Sequence, residues 1–295
     1  MATTNISRVQ TDGIDIFYRH AGPTAPDSPT ILLLHGFPTS SHMFRNLIPL
    51  LATKYRVIAP DLPGFGFTTV PPGRNYAYTF ANLTTTTEAF VDALGLRRFA
   101  IYIFDYGAPT GLRLALRRPE AVAAIVTQNG NAYAEGLGRD FWAPLQRAWA
   151  SGAREDIQAL AGFLTAEDTK WQYINGAPRP GEIPPETYTL DQALMDGRPG
   201  NREVQVGLFY DYRTNVELYP DFQGYFRGSG VPVLAVWGKN DTIFVNEGAE
   251  AFGRDVREGR FVLRWLDTGH FALETNEETV AREMDEFFEK MKVFG

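Results

Sequence analysis

Cysteine is absent from the chain, which excludes disulfides, thiolate metal sites and cysteine nucleophiles outright. Histidine is scarce, with 4 residues, so an imidazole base has few positions to occupy. A serine nucleophile has no setting either. There is no Gly-x-Ser-x-Gly, and none of Ser7, Ser28, Ser40, Ser41, Ser151 and Ser229 stands between a buried apolar run and a helix with small neighbours. The chain also lacks any apolar stretch of membrane-spanning length, and its first residues, MATTNISRVQTDG, lack the charged start and apolar run of a signal peptide. A net charge of -7 with no basic stripe disfavours a nucleic-acid partner. These absences predict a cytoplasmic protein with no membrane and no nucleic-acid partner. No His, Asp or Glu cluster has metal-ligand spacing, so no metal or organic cofactor is expected.

What is present is a globular composition, 44% hydrophobic and 21% charged over 295 residues, enough for one sizeable core with an inserted subdomain. Residues 6–20 alternate around Asp12-Gly13 and predict a hairpin. Apolar runs follow at 31–36 and 55–66, each ending at Gly and Pro, as strands buried on both faces do. Between them Met43, Phe44, Leu47, Ile48 and Leu51 recur at helical spacing and predict a helix over 40–53. A helix near 80–94, a strand at 98–104, a helix after Tyr106 and a strand at 121–130 continue the alternation. Alternation of this kind predicts an α/β fold, a mostly parallel sheet with helices on both faces. From 131 to 228 the pattern changes to short helical stretches around a Pro/Gly-rich segment at 176–186. Strand patterns resume at 231–238 and 261–267, and an amphipathic helix at 277–291 closes the chain. The expected division is a core of 1–130 with 229–295, and a helical insertion over 131–228.

In open parallel sheets ligands bind beyond the carboxyl ends of the strands. The polar residues expected there are His35, Asp61, Asp105, Asp241 and His270. Asp105 has the setting of a nucleophile: a buried strand before it, then Gly107, Ala108 and Gly111, small residues that let a helix pack closely at a sharp turn. Taken alone, Asp105 is as readily a helix cap, Asp241 a turn former and His270 a hydrogen-bonded loop histidine. Their order, each after a predicted strand, outweighs those separate readings. His35, before Gly36-Phe37-Pro38, is expected to support its loop, and His20 and His42 to be surface or packing residues.

With these pieces in place the chain resembles the α/β-hydrolase fold family, in its branch with an aspartate nucleophile, the epoxide hydrolases and haloalkane dehalogenases. The resemblance rests on His35-Gly-Phe-Pro38, Asp61-Leu-Pro-Gly-Phe-Gly66, Asp105-Tyr-Gly-Ala108, Trp237-Gly-Lys-Asn-Asp241 and Thr268-Gly-His270, in the family's order from about residue 10 to 290. It implies that 131–228 is a helical cap. It implies that Asp105 attacks a saturated carbon to form an ester and that His270, oriented by Asp241, activates the water that cleaves it. The backbone N–H groups of Phe37 and Tyr106 would form the oxyanion hole. Ile103 and Phe104 stand where the family usually has Gly and His, and a bulky Ile predicts a crowded elbow.

The leaving group divides the branch. An alkoxide needs a proton, which epoxide hydrolases supply from cap tyrosines, one of them just before an Arg. Tyr212-Arg213 matches that position, and Tyr173 is a possible second donor, with Tyr133 and Tyr188 competing. A dehalogenase would hold halide with a Trp after the nucleophile, where this chain has Tyr106, and Phe37 stands where an Asn would be. The expectation is an epoxide hydrolase acting on a small apolar substrate with an electrophilic carbon. Alternatives are a haloalkane or haloacid dehalogenase with the same triad, and a ligand-binding protein or non-hydrolytic isomerase or lyase on the same fold. Phe141, Trp142, Phe163 and Trp171 suit either an apolar pocket or the interior of the cap.

Overall fold

The computed structural model describes residues 2–295. Strands β1 (Asn5–Thr11) and β2 (Ile14–Ala21) pair antiparallel through the predicted Asp12-Gly13 turn, both residues at positive φ as a tight hairpin requires. Strands β3 (Thr30–Leu34), β4 (Arg56–Pro60), β5 (Phe99–Phe104), β6 (Val122–Gln128), β7 (Val233–Gly238) and β8 (Phe261–Leu266) complete one sheet in the order β1-β2-β4-β3-β5-β6-β7-β8. All pairings from β4 across to β8 are parallel. Strands β3, β5, β6 and β7 are buried along their whole length, which is why they read as unbroken apolar runs.

Helices α1 (Leu47–Leu51), α2 (Phe80–Ala93) and α3 (Gly107–Arg117) link the first strands. The segment between β6 and β7 holds α4 (Arg139–Ser151), α5 (Arg154–Ala159), α6 (Ala166–Ile174), α7 (Pro185–Asp196), α8 (Asn201–Asp211), α9 (Arg213–Glu217) and α10 (Tyr219–Ser229). Helix α11 (Asn246–Asp255) follows β7, and α12 (Glu277–Met291) ends the chain over the span its amphipathic pattern predicts. No helix among the described residues is long and apolar enough to cross a membrane.

The period of two along β5 sorts its side chains onto opposite faces. Ile101 and Ile103 join a core with α2 and α3, whereas Tyr102 and Phe104 join a core with α1 and α12. The first core runs on past the sheet edge, through Phe37 and Tyr106, into Trp142, Phe209, Tyr212 and Phe222 of the inserted helices. The insertion is thereby anchored on the loops that carry the candidate residues.

One predicted element differs. Instead of a helix over 40–53 there is a single 3-10 turn at Ser41–Phe44, then the five-residue α1. Pro49 explains the break. Without an N–H, and with a ring that collides with the preceding turn, proline is tolerated only in the first turn of a helix, so the helix restarts just before it.

Helix α3 meets β3 almost backbone to backbone: a Cβ at Gly107 would lie 2.1 Å from the Leu34 carbonyl oxygen. Gly107→Ala is expected to lose about 1–3 kcal/mol in urea unfolding, the cost of overpacking. Gly228→Ala, where nothing lies within 4 Å of the added carbon, should leave stability unchanged or raise it by up to ~1 kcal/mol. Equal midpoints for the two variants would contradict the close approach.

Candidate active site

Asp105 is the first of the two residues between β5 and α3, with φ 47°, a left-handed conformation that Asp tolerates better than most residues. It does not cap the helix: α3 has no side-chain cap. The Phe37 N–H donates to Asp105 Oδ1 at 2.6 Å, and the Tyr106 N–H lies close enough to favour the charged carboxylate. This approach requires Gly36, because a Cβ there would sit 2.3 Å from Asp105 Oδ1 and 2.5 Å from the Tyr106 nitrogen. Burial pushes the Asp105 carboxyl up to about 6, against the opposing pull of His270 and the backbone N–H groups of Phe37 and Tyr106.

The crowding expected at Ile103 is relieved from α3. A Cβ at Gly111 would lie 2.6 Å from Ile103 Cγ2, so the glycine leaves the room that the isoleucine fills. Phe104 faces the other way, its ring 4.6 Å from the His270 imidazole. Together with Phe244 and Phe271, at 5.9 and 5.5 Å, it holds the histidine in an aromatic slot.

Asp241 and His270 leave the ends of β7 and β8 and meet with His270 Nδ1 2.7 Å from Asp241 Oδ2. A carboxylate only accepts, so Nδ1 carries the proton and a neutral ring presents the lone pair of Nε2 outward. That Nε2 lies 3.9 Å from Asp105 Oδ2. The gap is too wide for a hydrogen bond and narrow enough for one reacting oxygen between them. Burial by itself lowers the His270 pKa, but the Asp241 charge and hydrogen bond, with a further part from Asp105, leave it raised.

Asp241 is itself held. Its Oδ1 accepts from the Ile243 N–H at 2.7 Å, and its Oδ2 accepts from Asn129 Nδ2 at 2.8 Å. Asn129, fully buried at the end of β6 with φ 45°, also accepts from the Gly238 N–H at 3.0 Å. Sequence reasoning missed it. The signal was the polar run Gln128-Asn129-Gly130-Asn131 directly after an apolar strand, the same position that marked Asp105 and Asp241.

The remaining candidates separate. His35 accepts from the Leu62 N–H at 2.9 Å, and Asp61 accepts from the Ser41 and Phe67 N–H groups, so both brace loops. His20 contacts Ser7 on the hairpin, and His42 is held down at about 4 by burial beside Arg45 and Arg19. Tyr212 is fully buried, its ring 5.9 Å from that of Tyr106, and near enough to Asp105 to feel its charge. Burial pushes its pKa upward, and the Asp105 charge adds to that.

Tyr173 departs from the expectation of a second donor. Its hydroxyl donates to Asp191 at 2.5 Å and its ring stacks on Phe271 at 3.7 Å, in the core cluster on the other side of the sheet from that of Tyr212. The buried carboxylate of Asp191, pushed up to about 7 by desolvation, needs that donor. Tyr133 packs on Phe252 and Tyr188 on Tyr173. Among the described residues no three His, Asp or Glu side chains are grouped to hold a metal ion.

Comparison with known proteins bears on this geometry. Residues 29–277 match the family model described as alpha/beta hydrolase fold. An uncharacterized hydrolase of Saccharomyces cerevisiae is 49% identical over 280 residues, 94% of each chain. A haloalkane dehalogenase of Mycobacterium marinum is 36% identical over 127 residues, 43% of this chain and 42% of that protein. Among solved structures, a haloalkane dehalogenase from Agrobacterium tumefaciens shares the fold with TM-score 0.78 at 21% identity, over 98% of this chain and 97% of that one.

The hold of Asn129 on Asp241 is open to test. Asn129→Ala strands the Gly238 N–H and one Asp241 oxygen, and unfolding should become easier by roughly 1–3 kcal/mol. The low-field proton of the His270–Asp241 bond should broaden in the same variant. Wild-type stability together with an unchanged proton signal would refute the support role.

Proposed function

The chain belongs to the α/β-hydrolase fold family, and from that premise we propose that it opens epoxides to vicinal diols through an ester on Asp105. The observation that carries this reading is the carboxylate at the elbow, with one oxygen on the Phe37 N–H and the other facing His270 Nε2 at 3.9 Å. An ionised carboxylate needs no base to attack a saturated carbon. Asp105 Oδ2 bonds to an epoxide carbon, the ring C–O bond breaks, and the freed alkoxide takes the Tyr212 proton. Water then attacks the ester carbonyl as His270 Nε2 removes its proton, and the N–H groups of Phe37 and Tyr106 hold the oxyanion. Collapse breaks the ester, the departing alkoxide takes the proton from His270, and the Asp105 carboxyl returns its proton to Tyr212. In this reading the helices between β6 and β7 act as the cap that supplies Tyr212.

Electrostatics favour the order of these steps. Esterification removes the Asp105 charge, one of the influences that raise the His270 pKa. The imidazole thus becomes more readily neutral at the stage when a base is needed.

A halide leaving group is less well served. The indole N–H groups of Trp142, Trp149 and Trp237 all donate to backbone carbonyls, at 2.8, 3.0 and 3.0 Å. The side chains of Phe37 and Tyr106, beside the nucleophile, bring no N–H. A phenolic proton suits a basic alkoxide better than a halide. Dehalogenation is the second reading, favoured by the partial identity to haloalkane dehalogenases.

The substrate class follows from a succession of rings. Trp171, 37% exposed, stacks on Phe141, and contacts continue through Phe163, Phe209 and Phe37 to Tyr106. Such a run of apolar rings, from the surface at Trp171 to the side chain beside the nucleophile, suits an aryl or alkyl epoxide.

With a panel of styrene oxides and haloalkanes, diol should form and halide should not. His270→Gln should slow turnover by about 10²–10⁴-fold and leave an ester visible as added intact mass, while Asp105→Ala should add none. Halide release without diol would favour the second reading, and single turnover in 18O-labelled water with no label in Asp105 would exclude both.

The nucleophile must be ionised, and its folded pKa is raised to about 6 by burial. Proton binding below that value therefore removes activity: kcat/KM should fall about tenfold per pH unit on the acid side of the profile. A flat acid limb down to pH values near an ordinary carboxyl would contradict the assignment.

A further inference from the structure

Tyr212 and Tyr219 stand at the two ends of α9, Tyr212 just before it and Tyr219 opening α10. Both are buried, and their hydroxyl oxygens lie 3.4 Å apart. A hydroxyl has one proton to give, so the direction of this contact depends on what else each oxygen touches.

Asn131 decides it. This fully buried side chain accepts from the Tyr133 N–H through Oδ1, and its Nδ2 donates to the Tyr133 carbonyl at 2.6 Å and to Tyr219 Oη at 3.3 Å. With both ends of the amide tied to the backbone of Tyr133, it cannot be flipped, and Tyr219 Oη must act as an acceptor. The proton of Tyr219 is then free for the oxygen beside it, that of Tyr212. The 3.4 Å contact admits a chain from Asn131 N–H to Tyr219 O–H to Tyr212 Oη, and that order leaves the Tyr212 proton for a substrate. Around Tyr212 the other neighbours are the rings of Phe80, Tyr106, Trp142 and Trp149, and the nearby charge is that of Asp105.

The length of the contact has a consequence for catalysis. At 3.4 Å two neutral phenols gain little, since such bonds are best near 2.7–2.8 Å. An ionised acceptor draws the donor closer and makes the bond about twice as strong. The interaction therefore strengthens as Tyr212 gives up its proton, which lowers the barrier more than it aids binding.

We propose that Tyr219, oriented by Asn131, is a positioning residue that aims the Tyr212 proton at the leaving oxygen and stabilises the phenolate left behind. The kinetic part of this inference rests on the epoxide reading, and its geometric part does not.

Tyr219→Phe keeps the ring and removes the hydroxyl. With styrene oxide its kcat should fall about 10- to 100-fold with KM little changed, the effect of losing a hydrogen bond to a charged group. The loss should vanish when Tyr219→Phe is added to Tyr212→Phe. In protein labelled with 13Cζ-tyrosine, the Tyr212 signal, assigned by its absence in Tyr212→Phe, should shift and titrate at higher pH in Tyr219→Phe. Unchanged kcat or an unmoved Tyr212 signal overturns the proposal. If wild-type protein turns over no epoxide, the epoxide reading fails and the NMR result alone decides the role of Tyr219.

Discussion

The bond from the Phe37 N–H to Asp105 Oδ1 is the contact on which the arrangement depends. It draws the loop after β3 against the turn after β5, so close that Gly36 and Gly107 have no room for a side-chain carbon. It also holds a non-glycine residue in a left-handed conformation that the chain alone disfavours. Such strain persists only because β3 and β5 are neighbours, buried on both sides, and cannot move apart. The two carboxylate oxygens are thereby made unlike: one is tied to the Phe37 N–H and the other faces the histidine.

A second constraint fixes that histidine. Asp241 anchors Nδ1, Asn129 and the Ile243 N–H anchor Asp241, and three phenylalanines enclose the ring. Phe104 matters in both respects. It precedes Asp105 in the strand, so the residue that sets the elbow also sets the distance from the elbow to the imidazole. On the opposite side, Tyr212 and Tyr219 share a core with Phe37 and Tyr106, so packing that stabilises the insertion also places Tyr212.

Much of the fold was legible because burial on both faces leaves a plain mark in composition. The runs ILLL, FAIYIF and VLAVWG are strands, and the final amphipathic helix has the limits its pattern implies. The stretch 40–53 was misleading because apolar spacing is blind to a proline that interrupts the hydrogen-bond ladder. Asp105, Asp241 and His270 were legible as polar residues following apolar runs. Asn129 shares that mark but was passed over, since an asparagine before a glycine is ordinary turn chemistry. Tyr173 was misplaced because sequence assigns it to the inserted helices without saying on which side of them it lies.

The sequence by itself determined the alternation of strands and helices, the want of any serine or cysteine nucleophile, and the order of the three polar residues that end in one place. Those properties are local, set by hydrophobic period and residue type. Tertiary structure alone decided the rest: that Gly111 makes space for Ile103, that Asn129 braces Asp241, that Asp191 occupies Tyr173, and that Asn131 turns Tyr219 toward Tyr212. Each joins residues on different elements, and the hydrogen-bond partner of a buried polar group is fixed by packing geometry that no stretch of sequence contains.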